Sequence, residues 1–180
     1  INKIKNFLLK NNLLSKKYIA IGASASYPLK RWPLKYFKEL ISILLKHNCS
    51  IVLVGGENEL ENTKLEQYFS GNVINAAGKF STLESAEILR HAIIVVTNDT
   101  SISHLAEAML TPAIVFFGAT VREFGYTPFL KDSKIMETNE NLSCRPCSRD
   151  GRGKCRNPDE LRCLNSITPQ MVLSKIHKLT

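Results

Sequence analysis

Residues 93–118 constrain this chain more than any other stretch. They read Ile93-Ile94-Val95-Val96-Thr97, then Asn98-Asp99-Thr100-Ser101-Ile102-Ser103-His104-Leu105-Ala106, then Met109-Leu110-Thr111-Pro112 and Ala113-Ile114-Val115-Phe116-Phe117-Gly118. A short β-branched run, a polar turn, a helical run, a proline and a second apolar run make a strand–turn–helix–strand unit of a parallel sheet. Asn98, Asp99, Thr100 and Ser101 are all good N-cap types, so the helix starts among them. A helix start after a buried strand offers free N–H groups and a partial positive charge, which suits a phosphate. In open α/β sheets ligands sit at the carboxyl ends of strands, where this turn lies. A well-capped helix without a ligand is the alternative for the same residues.

The rest of the chain repeats the alternation. A helix with Lys on its polar face is expected from residues 4 to 14. Tyr18 to Gly22 reads as a short buried strand, and Ala23-Ser24-Ala25-Ser26 follows it. Small side chains admit a ligand close to the backbone, and Ser24 and Ser26 add hydroxyls. No Gly-x-Gly-x-x-Gly occurs here, so the dinucleotide fingerprint is missing. Lys30-Arg31-Trp32-Pro33 precedes a helix over 34–47, with Pro33 suited to its first turn. Lys30 and Arg31 form either a phosphate clamp or a solvated basic loop, and Trp32 reads as an anchor beneath it.

A second strand runs into Gly55-Gly56, with Glu57 directly behind and a helix over 58–69. An acidic residue there commonly meets a ribose hydroxyl, so Glu57 is a candidate; complementing the next helix dipole is its other reading. A third strand is expected over 72–75. Gly78-Lys79-Phe80-Ser81 is a loop, and Thr82 with Ser85 makes half a capping box for a helix to His91. An extended segment over 133–137 follows the loop 119–128. Strands alternating with helices over some 120 residues call for a parallel sheet.

The formal charge of +8 favours an anionic partner. No ribonucleoprotein or zinc-finger pattern points to nucleic acid, and no apolar run is long enough for a membrane span. The chain starts Ile1-Asn2-Lys3 without Met or a signal pattern, and is expected to be a segment whose natural N-terminal part is missing. Of five cysteines, Cys49 reads as a small buried hydrophobe. Cys144-Arg145-Pro146-Cys147, Cys155 and Cys163 form a cysteine-rich loop over 144–163. Tetrahedral zinc, a disulfide staple and free thiols are all open for it, although paired tight knuckles are missing. Arg145, Arg149, Arg152, Lys154, Arg156 and Arg162 make this loop basic. A helix over 168–179 closes the chain, with Thr168 as cap and Pro169 at its first position.

These motifs resemble glycosyltransferase family 9, the ADP-heptose:lipopolysaccharide heptosyltransferases. Asn98-Asp99-Thr100-Ser101-x-Ser103-His104-Leu105-Ala106, with Pro112 and Phe117-Gly118-Ala119-Thr120, is similar to the family signature. The small-residue turn into Lys30-Arg31-Trp32-Pro33 resembles its first donor loop, and Gly78-Lys79 before Leu83-Glu84 a second. The cysteine loop with Ile167-Thr168-Pro169 resembles the tail of many members. The family usually has Gly where this chain has Ser101.

The resemblance implies an α/β fold: a Rossmann-like open parallel sheet with helices on both faces. It makes residues 1–180 the C-terminal, donor-binding half of a two-Rossmann-domain enzyme, without the N-terminal acceptor domain. By the same resemblance, Thr100 and Ser101 amides with the Thr100 hydroxyl hold the donor diphosphate. Lys30 neutralises a phosphate, and Ser24 or Ser26 hydrogen-bonds to it. Glu57 meets the ribose or adenine, Asp99 binds hydroxyls of the transferred sugar, and His104 touches phosphate or braces the loop. The implied chemistry is inverting transfer of heptose from ADP-heptose to the lipopolysaccharide inner core, with no cofactor. The family's general base lies in the N-terminal domain, so no catalytic residue is expected here and the isolated chain is expected to bind donor without turnover. The acceptor is a lipid-linked oligosaccharide reached through that missing domain. The implied location is cytoplasmic, peripheral at the inner membrane, without nucleic acid. Two other readings use the same residues: a UDP-sugar-dependent transferase of this architecture, and a basic zinc-binding interaction module.

Overall fold

The structure, a computed structural model, describes residues 2–15, 17–57, 59–69 and 71–176. Helix α1 (Asn2–Lys10) leads into strand β1 (Tyr18–Gly22). Then come α2 (Leu34–Lys46), β2 (Ser50–Leu53), α3 (Leu60–Phe69) and β3 (Ile74–Asn75). α4 (Thr82–Arg90), β4 (Ile94–Asn98), α5 (Ser101–Ala108) and β5 (Ala113–Phe117) follow. β6 (Lys134–Glu137), the short α6 (Arg162–Asn165) and α7 (Pro169–Ile176) complete the order. The expected helix positions 58 and 177–179 lie outside the described residues.

All six strands are parallel, in the order β3-β2-β1-β4-β5-β6. Ile19 is in register with Ile51 on one side and Ile94 on the other. Side chains alternate across each strand, so two apolar layers result. Ile19, Ile21, Leu53, Val96, Ile114 and Phe116 pack with α2, α3 and α7. Tyr18, Ala20, Val52, Val95, Val115 and Phe117 pack with α1, α4 and α5. Central strands buried on both faces explain the unbroken β-branched runs. Burying each such large side chain contributes roughly 2 kcal/mol.

The order reverses direction at β1 and β4, which makes their carboxyl ends the switch point of the sheet. Asn98 ends β4 there, fully buried. Its amide donates to the carbonyls of Ala23 (2.9 Å) and Ser24 (3.1 Å), and its oxygen accepts from the Trp32 backbone N–H (2.9 Å). One side chain therefore binds the loop after β1 and the turn before α2 to the end of β4. Trp32 stacks on Phe116 with ring centroids 4.3 Å apart and donates its indole N–H to the Ile167 carbonyl at 2.9 Å. This is the anchor expected of it.

Local differences from the sequence expectations have local causes. Ser81, not Thr82, caps α4: its hydroxyl accepts from the Glu84 N–H, and the Glu84 carboxylate accepts from the Ser81 N–H. The capping box is complete one residue earlier than expected. Pro33 sits just before α2 with ψ 131°, so its carbonyl takes the N–H groups of Tyr36 and Phe37. α1 stops at Lys10, because Asn12 takes a positive φ and lets Leu13 fold back into the core.

Candidate functional site

A cavity of about 470 Å³ opens over the carboxyl ends of β1 and β4. Its floor is the start of α5. Thr100 is the N-cap, and its hydroxyl accepts from the Ile102 N–H at 3.4 Å. Ser101 opens the helix, so its amide has no carbonyl one turn back to bond. The partial positive charge of the helix end faces the cavity. His104, one turn further on, lines the same wall.

Lys30 enters from the short 3₁₀ turn Pro28–Lys30. Its ammonium lies 2.7 Å from the Asp99 carboxylate, with side-chain exposures of 14% and 3%. Thr120 donates its hydroxyl to the same carboxylate oxygen at 2.9 Å. The Lys30 ammonium also lies 5.9 Å from the Tyr126 ring. The pocket thus holds a neutralised cation–anion pair beside an open helix end.

Six of the eight residues expected from the sequence line this cavity: Ser26, Lys30, Asp99, Thr100, Ser101 and His104. Ser24 and Glu57 do not. The Ser24 hydroxyl donates to the Glu61 carboxylate at 2.8 Å, and Glu61 also accepts from Arg31 at 3.0 Å. Arg31 further donates to the Ala25 carbonyl, so this basic residue braces the loop from behind. Glu57 is exposed and packs on Gly78, whose φ is +71°. A Cβ at Gly78 would come within 2.7 Å of the Glu57 Cα. Lys79 donates to the Asn75 carbonyl, away from the cavity.

From the segment between β2 and α3, the acidic residue that reaches the cavity is Glu59. Its carboxylate accepts from the Asn62 amide at 3.1 Å, and it lies so close over Gly55 that a Cβ there would sit 1.8 Å from it. Burial pushes its pKa above the ordinary glutamate range, against the opposing hydrogen bond from the Gly56 backbone. Ala25, Gly56, Ile102, Tyr27, Tyr126, Arg149 and Asp150 complete the lining. Sequence reasoning did not single out the two tyrosines or Asp150.

The last two of these residues belong to the cysteine loop. Arg145 stitches that loop to the end of β5: it donates to the carbonyls of Gly118 (2.8 Å) and Thr120 (3.0 Å) and pairs with Glu137 (2.8 Å). Cys144, Cys147, Cys155 and Cys163 are free thiols, each half-buried. Burial first, then the neighbouring Cys147, pushes the Cys163 thiol up to about 11. Among the described residues, no group of three or more His, Cys, Asp or Glu is placed to hold a metal ion.

A doubly covered parallel sheet in this strand order, with a polar cavity at its switch point, defines a Rossmann-like α/β domain with a ligand cavity where such folds bind. The sequence profile of glycosyltransferase family 9 (heptosyltransferase) matches residues 2–155. The chain belongs to that family. It is 28% identical, over 98% of its length, to a lipooligosaccharide heptosyltransferase 2 of Haemophilus influenzae, and covers 51% of that protein. Among solved structures, an Escherichia coli ADP-heptose lipopolysaccharide heptosyltransferase II is similar at 20% identity. The TM-score is 0.77 over 99% of this chain and 51% of that one. An Escherichia coli heptosyltransferase with ADP is similar at 23% identity, with a TM-score of 0.69 over 98% of this chain and 48% of that one. The chain therefore spans about half the length of the relatives it matches.

Proposed function

We propose that this chain is the donor-binding domain of an inverting heptosyltransferase of lipopolysaccharide core assembly, with ADP-heptose as its donor. The observation that carries this is the Lys30–Asp99 pair set beside the open N-terminus of α5 in one cavity. A nucleoside diphosphate presents the charge that such a helix end and ammonium accept. Its arrival gives Lys30 a second anionic partner, which frees oxygen lone pairs of Asp99 for sugar hydroxyls. Ser26 hydrogen-bonds to a phosphate oxygen, as does His104 from the far side of the helix turn. Glu59, rather than Glu57, takes the ribose hydroxyls, because of these two only Glu59 lines the cavity.

In the transfer, an acceptor hydroxyl oxygen bonds to the anomeric carbon from the face opposite the diphosphate. The bond from that carbon to the phosphate oxygen breaks, and ADP leaves with the electron pair. The hydroxyl proton passes to an acidic residue of the acceptor domain, outside this chain. Charge accumulates on the leaving phosphate, where the α5 amides and Lys30 already point; such preorganised electrostatics lower the barrier. No cofactor enters this scheme. Among the described residues no helix is long and apolar enough to cross a membrane. A lipid-linked acceptor then places the enzyme at the cytoplasmic side of the inner membrane, held peripherally.

Calorimetric titration with ADP and, in parallel, UDP tests this reading. ADP binding that is tighter than UDP and at least tenfold weaker in Lys30→Ala is expected. Tighter UDP binding overturns the donor assignment, and binding of neither overturns the site.

A further inference from the structure

We infer that Arg149, delivered by the cysteine loop, is a diphosphate-binding residue of this cavity, and that the turn over residues 148–152 holds it there. The inference rests on the nucleoside-diphosphate reading above and adds a residue and an element to it. Arg149 lines the cavity, yet among the described residues its guanidinium has no hydrogen-bond or ion-pair partner. Of the loop's other basic residues, Arg145 pairs with Glu137, Arg152 with Asp150 and Arg162 with Glu140, and the exposed Lys154 and Arg156 do not line the cavity. Lys30, the other cation of the cavity, is already neutralised by Asp99. A diphosphate brings more negative charge than that pair and a helix end balance, and a guanidinium fork matches phosphate oxygens.

The position of Arg149 is set by contacts that bracket it. Gly151, at φ +91°, packs so tightly on Lys30 that a Cβ would lie 2.7 Å from the lysine Cγ and 3.2 Å from the Tyr27 Cβ. Arg152 lies over the Tyr27 ring, 5.0 Å from its centre, and donates to the Tyr27 hydroxyl at 2.8 Å. The Ser148 hydroxyl accepts from the Gly151 N–H at 2.9 Å and closes the turn that carries Arg149. The loop therefore touches the stem of the phosphate-facing lysine and brings the unpaired Arg149 to the same space.

The test compares ADP, pyrophosphate and adenosine binding in the wild-type chain, Arg149→Ala and Arg149→Lys, with the thermal midpoint of each variant. Arg149→Ala is expected to weaken ADP and pyrophosphate about tenfold, the effect of losing one charged hydrogen bond, and to leave adenosine within twofold. Arg149→Lys recovers part of the loss, as a point charge does. Equal losses for ADP and adenosine, or ADP within twofold of wild type, overturn the inference while leaving the donor site intact. A wild-type chain that binds neither ADP, UDP nor pyrophosphate overturns both.

Discussion

The cavity has two kinds of wall. One is built from strand and helix ends: the carboxyl ends of β1 and β4, the Lys30 turn and the start of α5. The other is irregular chain from the cysteine loop, which carries Arg149 and Asp150. The first wall is fixed by its neighbours in sequence and by the sheet register. The second is fixed by a few long-range contacts, such as Arg152 with Tyr27, which lie 125 residues apart. The first wall is therefore coupled to global stability. The second is expected to move with little change in the core.

Substituting Asn98 is the strongest way to break the regular wall. Asn98→Ala removes two donors and one acceptor that hold the Ala23–Ser24 loop and the Trp32 turn, all out of water. Loss of buried hydrogen bonds that strands their partners is expected to destabilise the chain by about 3 kcal/mol. Urea unfolding measures it. A loss below about 1 kcal/mol would mean that the three segments hold themselves without this clamp.

The irregular wall is probed next, by Gly151→Ala. The new methyl group meets the stem of Lys30, whose ammonium is held by Asp99 and cannot easily yield. Gly153→Ala is the matched control: Gly153 has φ +97°, but nothing lies within 4 Å of its Cβ position. Both variants incur the same backbone penalty, about 1 kcal/mol for an L-residue in the left-handed region. Only Gly151→Ala is expected to weaken ADP binding, by tenfold or more in calorimetry. Equal affinities in the two variants would separate the loop from the cavity.

The same contrast explains what was legible in the sequence. Hydrophobic periodicity and turn chemistry marked every strand and the cap of α5, because those are local properties. They also brought out the residues of the regular wall, Lys30 and Asp99 among them. The irregular wall appeared only as a surplus of basic residues. Which of them lines the cavity depended on contacts far along the chain: Glu137 takes Arg145, Glu140 takes Arg162, and the turn held against Lys30 and Tyr27 brings Arg149 to the cavity. The Glu57 expectation counted residues from the end of β2 and so chose the first acid. The chain instead folds back, and Glu59 lays its carboxylate against Gly55 and Gly56. The signal for that was present in the paired glycines, which leave room for a side chain on the backbone.

The smallest expected effect concerns Glu59 and sharpens the contrast between its half-buried carboxyl and the exposed Glu57. Burial raises the Glu59 pKa in the free protein, so its protonated form persists to a higher pH than that of an ordinary glutamate. Ribose hydroxyls donate to a carboxylate, and a ligand that does so favours the ionised form. Binding then releases a proton across the window between the lowered bound-state pKa and the raised free-state pKa. Affinity for ADP rises with pH through that window, levels off above it and falls as the pH drops below the free-state pKa. A few-fold change is expected for wild type. Glu59→Gln should flatten the profile, and Glu57→Gln should leave it as in wild type. Calorimetry in buffers of different ionisation enthalpy reads the proton release directly. An unchanged profile in Glu59→Gln would take the ribose contact away from this residue and leave its raised pKa a consequence of packing on Gly55 alone.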